Sequence, residues 1–171
     1  QSIETMFLKT ERLNLTEFKA NDAPFFYELV NDPAFIEFIG DRNVKSVSDA
    51  EKYLLEKVIP SYEKNGFGFY LVSTNENNVP IGMSGIIDRD GLDHIDVGFA
   101  FLSKFRGKGY AFEATNAVMK YATETLKINP IVAITNTNNA KSINLLERLG
   151  LRYDKLIQLP QETEKIKLFT T

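Results

Sequence analysis

Between Val97 and Lys120 an apolar stretch runs into Ser103-Lys104-Phe105-Arg106-Gly107-Lys108-Gly109 and then into a run of helical pattern. A strand that turns on two glycines into a helix confines this chain more than any other feature. Ala111, Ala114, Ala117, Val118, Tyr121 and Ala122 fall on one helical face. Gly107 and Gly109 carry no side chain, so backbone N–H groups beside them can approach a phosphate closely. The helix behind them adds unpaired N–H donors and a positive dipole end. Lys104, Arg106 and Lys108 surround the loop with positive charge on a chain whose net charge is −3. Two glycines alone would equally suit a plain turn with solvated lysines beside it.

The other segments alternate between two periods. Near-alternation of Leu13, Leu15 and Phe18 predicts a strand over residues 11 to 18. Asn21 to Pro24 starts a helix that Asn31-Asp32-Pro33 breaks, and a short apolar piece runs from Phe35 to Ile39. Ser48, with Glu51 three residues on, predicts the capping box of a further helix. Tyr53, Leu54, Leu55, Val58 and Ile59 form its apolar stripe, and Pro60 is expected near its end. Strands are expected over 67–71, 79–87 and 94–101 as an antiparallel meander, with Asp88-Arg89-Asp90-Gly91 as a hairpin turn. After the glycine loop and its helix come a strand at 131–135, a polar loop, a helix stopping at Gly150, and strands at 151–157 and 165–169. The expected order is β-α-α-β-β-β-α-β-α-β-β, one mixed α/β (α+β) domain over residues 7–171. Residues 1–6 are expected to be an added or disordered start.

Composition removes several chemistries. The chain has no cysteine and one histidine, His94, so disulfides, a thiolate nucleophile and multi-histidine metal sites are excluded. Asp88, Asp90, Asp93, Asp96 and His94 read as a polar hairpin rather than a metal site, since they lack the spacing of a calcium loop. No metal is expected. The pI near 5.3 argues against a nucleic-acid partner, and no apolar run reaches the roughly 20 residues of a membrane span. A cytoplasmic protein is expected. A phosphate-cradling Walker loop would need Ser or Thr after Lys108, where Gly109 stands. The dinucleotide fingerprint would need a third glycine at Phe112 and an acidic residue at Asn136.

Three stretches in order, Lys9-Thr-Glu11-Arg12-Leu-Asn-Leu, Lys104-Phe-Arg-Gly107-Lys-Gly109-Tyr-Ala111-Phe-Glu113-Ala114 and Asn139-Ala-Lys-Ser142-Ile-Asn-Leu-Leu-Glu-Arg-Leu-Gly150-Leu, together resemble the GNAT N-acetyltransferase family. The wording Gly-Lys-Gly-Tyr-Ala-x-Glu-Ala is similar to its RimJ/RimL-like branch, the ribosomal-protein N-terminal acetyltransferases. Lys104 stands where the family usually has Gln or Arg. The resemblance implies a single GNAT-type domain in which two parallel strands, 94–101 and 130–135, splay to admit the pantetheine of acetyl-CoA as co-substrate. It implies that backbone around Phe99, Ala100 and Phe101 binds the pantetheine. Arg106, Gly107, Lys108 and Gly109 would bind the pyrophosphate, and Lys104, Tyr110, Ala111, Asn139 and Ser142 would touch the cofactor.

Acyl transfer to an amine needs a neutral amine, a polarised thioester and a stabilised thiolate. By position Asp96 matches the acidic residue that many family members use as general base; the structural alternative is a solvent-facing strand carboxylate. The tyrosine acid of many members is replaced here by Leu146. In the branch the serine of Asn-x-x-Ser is the proposed substitute, which makes Ser142 the candidate; its alternative role is to cap a helix start. Tyr110 and Tyr153 are further options. Neutralising an α-amine of pKa about 8 at pH 7 costs about 1.4 kcal/mol, against about 4.6 for a lysine, so a protein N-terminus is the expected acceptor. A small-molecule amine and a non-catalytic acyl-CoA sensor stay open as alternatives, as does a homodimer; a nucleotide-binding module is disfavoured because neither nucleotide motif is met. Acceptor choice is expected to sit on the 22–60 helices and the 158–164 loop.

Overall fold

The computed structural model describes residues 6–171, so the reading of Gln1 to Thr5 falls outside the described residues. Strand β1 (Met6–Lys9) already takes in Met6, ahead of the expected domain start, and pairs antiparallel with β2 (Leu13–Glu17). Helices follow at α1 (Ala23–Val30), α2 (Pro33–Phe38), α3 (Val47–Tyr53) and α4 (Pro60–Asn65). The meander is β3 (Phe69–Thr74), β4 (Pro80–Ile87) and β5 (Asp96–Phe101). Then come α5 (Tyr110–Glu124), β6 (Val132–Thr135), α6 (Ala140–Arg148), β7 (Arg152–Ile157) and β8 (Ile166–Thr170). Among the described residues one eight-stranded sheet has the order β1-β2-β3-β4-β5-β6-β8-β7, and only the β5–β6 pair is parallel.

Strand alternation sorts side chains to two cores. Tyr70, Val72, Ile86, Val97 and Phe101 pack with Ala114, Val118 and Ala122 of α5 on one face. Leu71, Met83 and Ala100 pack on the other face with Phe26 and Leu29 of α1 and Leu54.

Several local expectations are corrected. The apolar piece 35–39 is mostly helix α2, because Asp32 accepts from the N–H of Ala34 and Pro33 suits the first helical position. The cap of α3 is Ser46, whose hydroxyl accepts from Asp49 N at 3.0 Å, rather than Ser48. Pro60 does not end the run. A π turn at Leu54–Val58, closed by Ile59 N to Leu54 O at 2.9 Å, restarts the ladder, so Pro60 takes a first-turn position where its missing N–H costs no bond. The wider turn keeps Leu54 and Val58 inside and puts Leu55 outside, 51% exposed. The hairpin after β4 is an eight-residue loop, 88–95, and β5 starts at Asp96 instead of His94.

Candidate active site

Strands β5 and β6 share a single register pair, Asp96 with Val132, where Val132 N donates to Ile95 O at 3.0 Å. Beyond it they part. Backbone groups of an extended strand point alternately to its two neighbours. The Ile95 carbonyl faces β6, while Leu102 N donates to Ile81 O at 3.0 Å on the β4 side. Phe99 and Phe101 therefore turn their N–H and C=O groups into the gap. Ala100, in register with Met83, spends its backbone on β4 instead. Unpaired backbone at such a gap has to be satisfied, and an amide-rich chain laid between the strands can do it.

The glycine loop leaves the wide end of this gap and is tied down at both ends. At its start Asp32 accepts from Ser103 N at 2.9 Å and from Ser103 Oγ at 2.6 Å. Burial pushes that carboxyl up, but these bonds, the bond from Ala34 and the charge of Arg106 hold it below the usual range. At its end Glu113, in the first turn of α5, accepts from Thr10 Oγ1 at 2.6 Å, Arg12 N at 2.8 Å and Arg12 Nε at 2.7 Å. Sequence reading missed both carboxylates as anchors. The Asp-Pro pair hinted at the first; nothing local signals the second, since its partners lie about a hundred residues away in the chain.

Gly107 and Gly109 have φ of +77° and +81°, the left-handed region where a side chain costs strain. Gly109 is the N-cap of α5, and no side chain among the described residues caps that helix. The first-turn N–H groups around Tyr110 and Ala111 are thus left for a ligand. Arg106 and Lys108 are exposed, and neither joins an ion pair among the described residues. Lys104 leans away, its Nζ 3.5 Å from Glu28 on α1, an exposed pair that fixes it weakly.

Asp96 is not a solvent-facing carboxylate: it is 1% exposed. Its Oδ2 accepts from Arg89 Nε at 3.2 Å, and Oδ1 has no partner among the described residues. Burial raises its pKa to about 6, against the pull of Arg89 and helped by Asp88. Its neighbours in the suspected cluster, Asp88, Asp90, Asp93 and His94, are exposed. Ser142 is not the cap of α6. Asn139 holds that position, its Oδ1 accepting from Ser142 N at 3.2 Å. The Ser142 hydroxyl is left without a bond among the described residues, and the side chain is half-buried. Tyr110 lies under the Arg12 guanidinium at 4.5 Å, and Tyr153 sits on β7, two strands from the gap. Loop 158–165 meets loop 88–95 where Gly91 faces Pro160. A cavity of about 200 Å³ beside it is lined by Asn136, Leu159, Glu162, Thr163, Glu164 and Ile166.

A parted pair of parallel strands leading to an uncapped, glycine-turned helix start defines a class of enzyme that carries its acyl donor between strands and grips the donor's diphosphate with backbone. Residues 12–152 match the acetyltransferase (GNAT) domain, and the chain belongs to that family. It is an acetyl-CoA-dependent N-acetyltransferase. Among its relatives, an uncharacterized N-acetyltransferase, YnaD of Bacillus subtilis, is 24% identical over 86% of this chain and 83% of its own. The ribosomal protein uS5-alanine N-acetyltransferase of Escherichia coli is 32% identical over 54% of this chain and 50% of its own. Two solved structures share the fold. RimL, a ribosomal L7/L12 α-N-protein acetyltransferase in complex with coenzyme A, superposes with a TM-score of 0.82 at 15% identity, covering 97% of both chains. Spermidine N-acetyltransferase of Vibrio cholerae, with CoA and spermine, gives 0.76 at 16% identity over 95% of this chain and 96% of that one.

Proposed function

We propose that the protein moves the acetyl group of acetyl-CoA to the α-amine of a protein or peptide N-terminus, in the manner of the RimJ/RimL-like branch. The observation that carries this reading is Asp96, a buried carboxylate with one free oxygen where β5 and β6 begin to part. Acetyl-CoA supplies an acyl carbon bonded to a good leaving thiolate. The acceptor nitrogen attacks that carbon, the C–S bond breaks, Asp96 takes the proton from nitrogen and passes it to solvent, and Ser142 gives its proton to sulfur and regains one from solvent. Direct attack fits a chain without cysteine to carry the acyl group. A base of pKa about 6 lies about 2 pK units from an α-amine and about 4 from a lysine, so the α-amine is the easier acceptor. The names of the uS5-alanine enzyme and RimL point the same way.

Incubation with acetyl-CoA and peptides bearing free N-termini should add one acetyl group at the α-amine by intact mass and fragmentation. Acetylation confined to lysine side chains or to spermidine would overturn the α-amine reading. Cofactor binding without turnover on any amine would leave a sensor. Ser142→Ala should lower kcat about 10-fold at pH 7 and less at higher pH, where the departing thiolate needs no proton. Thermal melting should barely move, since Asn139 caps the helix. An unchanged kcat at pH 7 would remove Ser142 from the chemistry.

A further inference from the structure

The opening stretch around Arg12 has so far only a bracing role, yet its geometry exceeds what bracing needs. Arg12 reaches Glu113 through its backbone N and through Nε. That leaves Nη1 and Nη2 without an acceptor among the described residues. The guanidinium carbon lies over the Tyr110 ring, 4.5 Å from its centre. A Cβ placed on Gly109 would stand 3.4 Å from Nη2. The free end of the fork therefore sits beside the N-cap and first residue of α5, next to the uncapped N–H groups, and the side chain is 42% exposed.

Glu113 sharpens the point. A carboxylate in the first turn of a helix repels any anion that turn is meant to hold. Partial burial pushes this carboxyl up, yet the bonds from Thr10 and Arg12 outweigh it and keep it ionised. Arg12 cancels that charge while presenting two further donors toward the loop, and planar paired donors suit phosphate oxygens.

We infer that Arg12 is a phosphate-binding residue, its Nη groups completing from the far end of the chain the site that the glycine loop and α5 make for the diphosphate of acetyl-CoA. This rests on the assignment of the acetyl-CoA site. Lysine would not serve as well, because one ammonium cannot bond Glu113 and offer a fork at once.

The test compares acetyl-CoA, 3′-dephospho-acetyl-CoA and S-acetyl-pantetheine, which lacks the diphosphate, on wild type, Arg12→Gln, Arg12→Lys, Glu113→Gln and the Arg12→Gln/Glu113→Gln pair. Arg12→Gln should weaken acetyl-CoA and 3′-dephospho-acetyl-CoA alike by roughly 10- to 100-fold, the scale of lost bonds to a charged group. The preference in kcat/KM for acetyl-CoA over acetyl-pantetheine should fall by the same factor. The loss should persist when Arg12→Gln is made in the Glu113→Gln background. Equal losses for acetyl-CoA and acetyl-pantetheine, or no added loss in the double variant, would make Arg12 only a brace and overturn the inference. So would a defect that disappears with 3′-dephospho-acetyl-CoA, which would move the contact to the 3′-phosphate. Wild type without measurable acetyl-CoA affinity would instead bring down the site itself.

Discussion

Asp96→Asn is expected to lower kcat by about 10²- to 10⁴-fold while leaving acetyl-CoA affinity close to wild type. Asparagine keeps the size of the side chain and can still accept from Arg89, but it cannot take a proton from the acceptor amine. In wild type, kcat should rise about tenfold per pH unit below pH about 6, the pKa that burial gives Asp96, and then level off. The variant should lack that limb. The groups acting on Asp96 are Arg89, which favours its charge, and Asp88, which opposes it. A variant within about threefold of wild type, or one that keeps the rising limb, would remove Asp96 from the role of base.

The same burial predicts an opposite effect on stability. The folded-state pKa of Asp96 lies above its usual value, so the native state holds the proton more tightly than the unfolded chain. That contribution is fully present below pH about 4 and is lost as pH rises through about 6. Above pH 7 the wild type therefore carries a buried charge that Arg89 only partly offsets. Asp96→Asn should be more stable there by on the order of 2 kcal/mol, visible as a higher Tm at pH 7.5 and little gain at pH 4. Lost activity with gained stability is the mark of a functional carboxylate, and a merely structural ion pair would lose both.

Much of this architecture is legible in the sequence because its rules are local. The β5-to-α5 passage announces itself through two glycines and a helical alanine stripe. The first strand of the meander is visible in the alternation of Phe67, Phe69 and Leu71. The misreadings share a physical cause. Ser46 and Ser48 each have an acidic residue three positions on, so local rules rank them equally, and packing of Ala50 and Leu54 decides. Pro60 ordinarily ends a helix, but a five-residue turn upstream changes its position in the ladder. The site divides the same way. Gly107 and Gly109 could be read from the residues they lack. The burial of Asp96 could not, because it depends on Arg89 and on layers that reach it only after folding. Asp32 could be read only as part of a helix-breaking run and Glu113 only as part of the family motif, because their partners, Ser103 and Arg12, come from distant parts of the chain.

Valine at Gly107 or Gly109 is expected to weaken acetyl-CoA binding by at least about 30-fold. At φ near +80° an L-residue pays roughly 1–2 kcal/mol, and a β-branched one more. The loop would escape that strain by rotating its N–H groups away from the diphosphate. Asparagine separates this effect from plain crowding. It tolerates the left-handed region, and a Cβ at Gly107 meets nothing within 4 Å. Gly107→Asn should therefore keep the turn and the Tm. Its side chain nonetheless stands on the surface where a phosphate would approach the backbone, so affinity should still fall about tenfold, measured by calorimetry with acetyl-CoA. The loss should be absent for S-acetyl-pantetheine, which brings no phosphate to the loop. If both substitutions left acetyl-CoA affinity intact, the diphosphate would have to bind away from α5. The uncapped start of that helix would then be only a turn that happens to need two glycines.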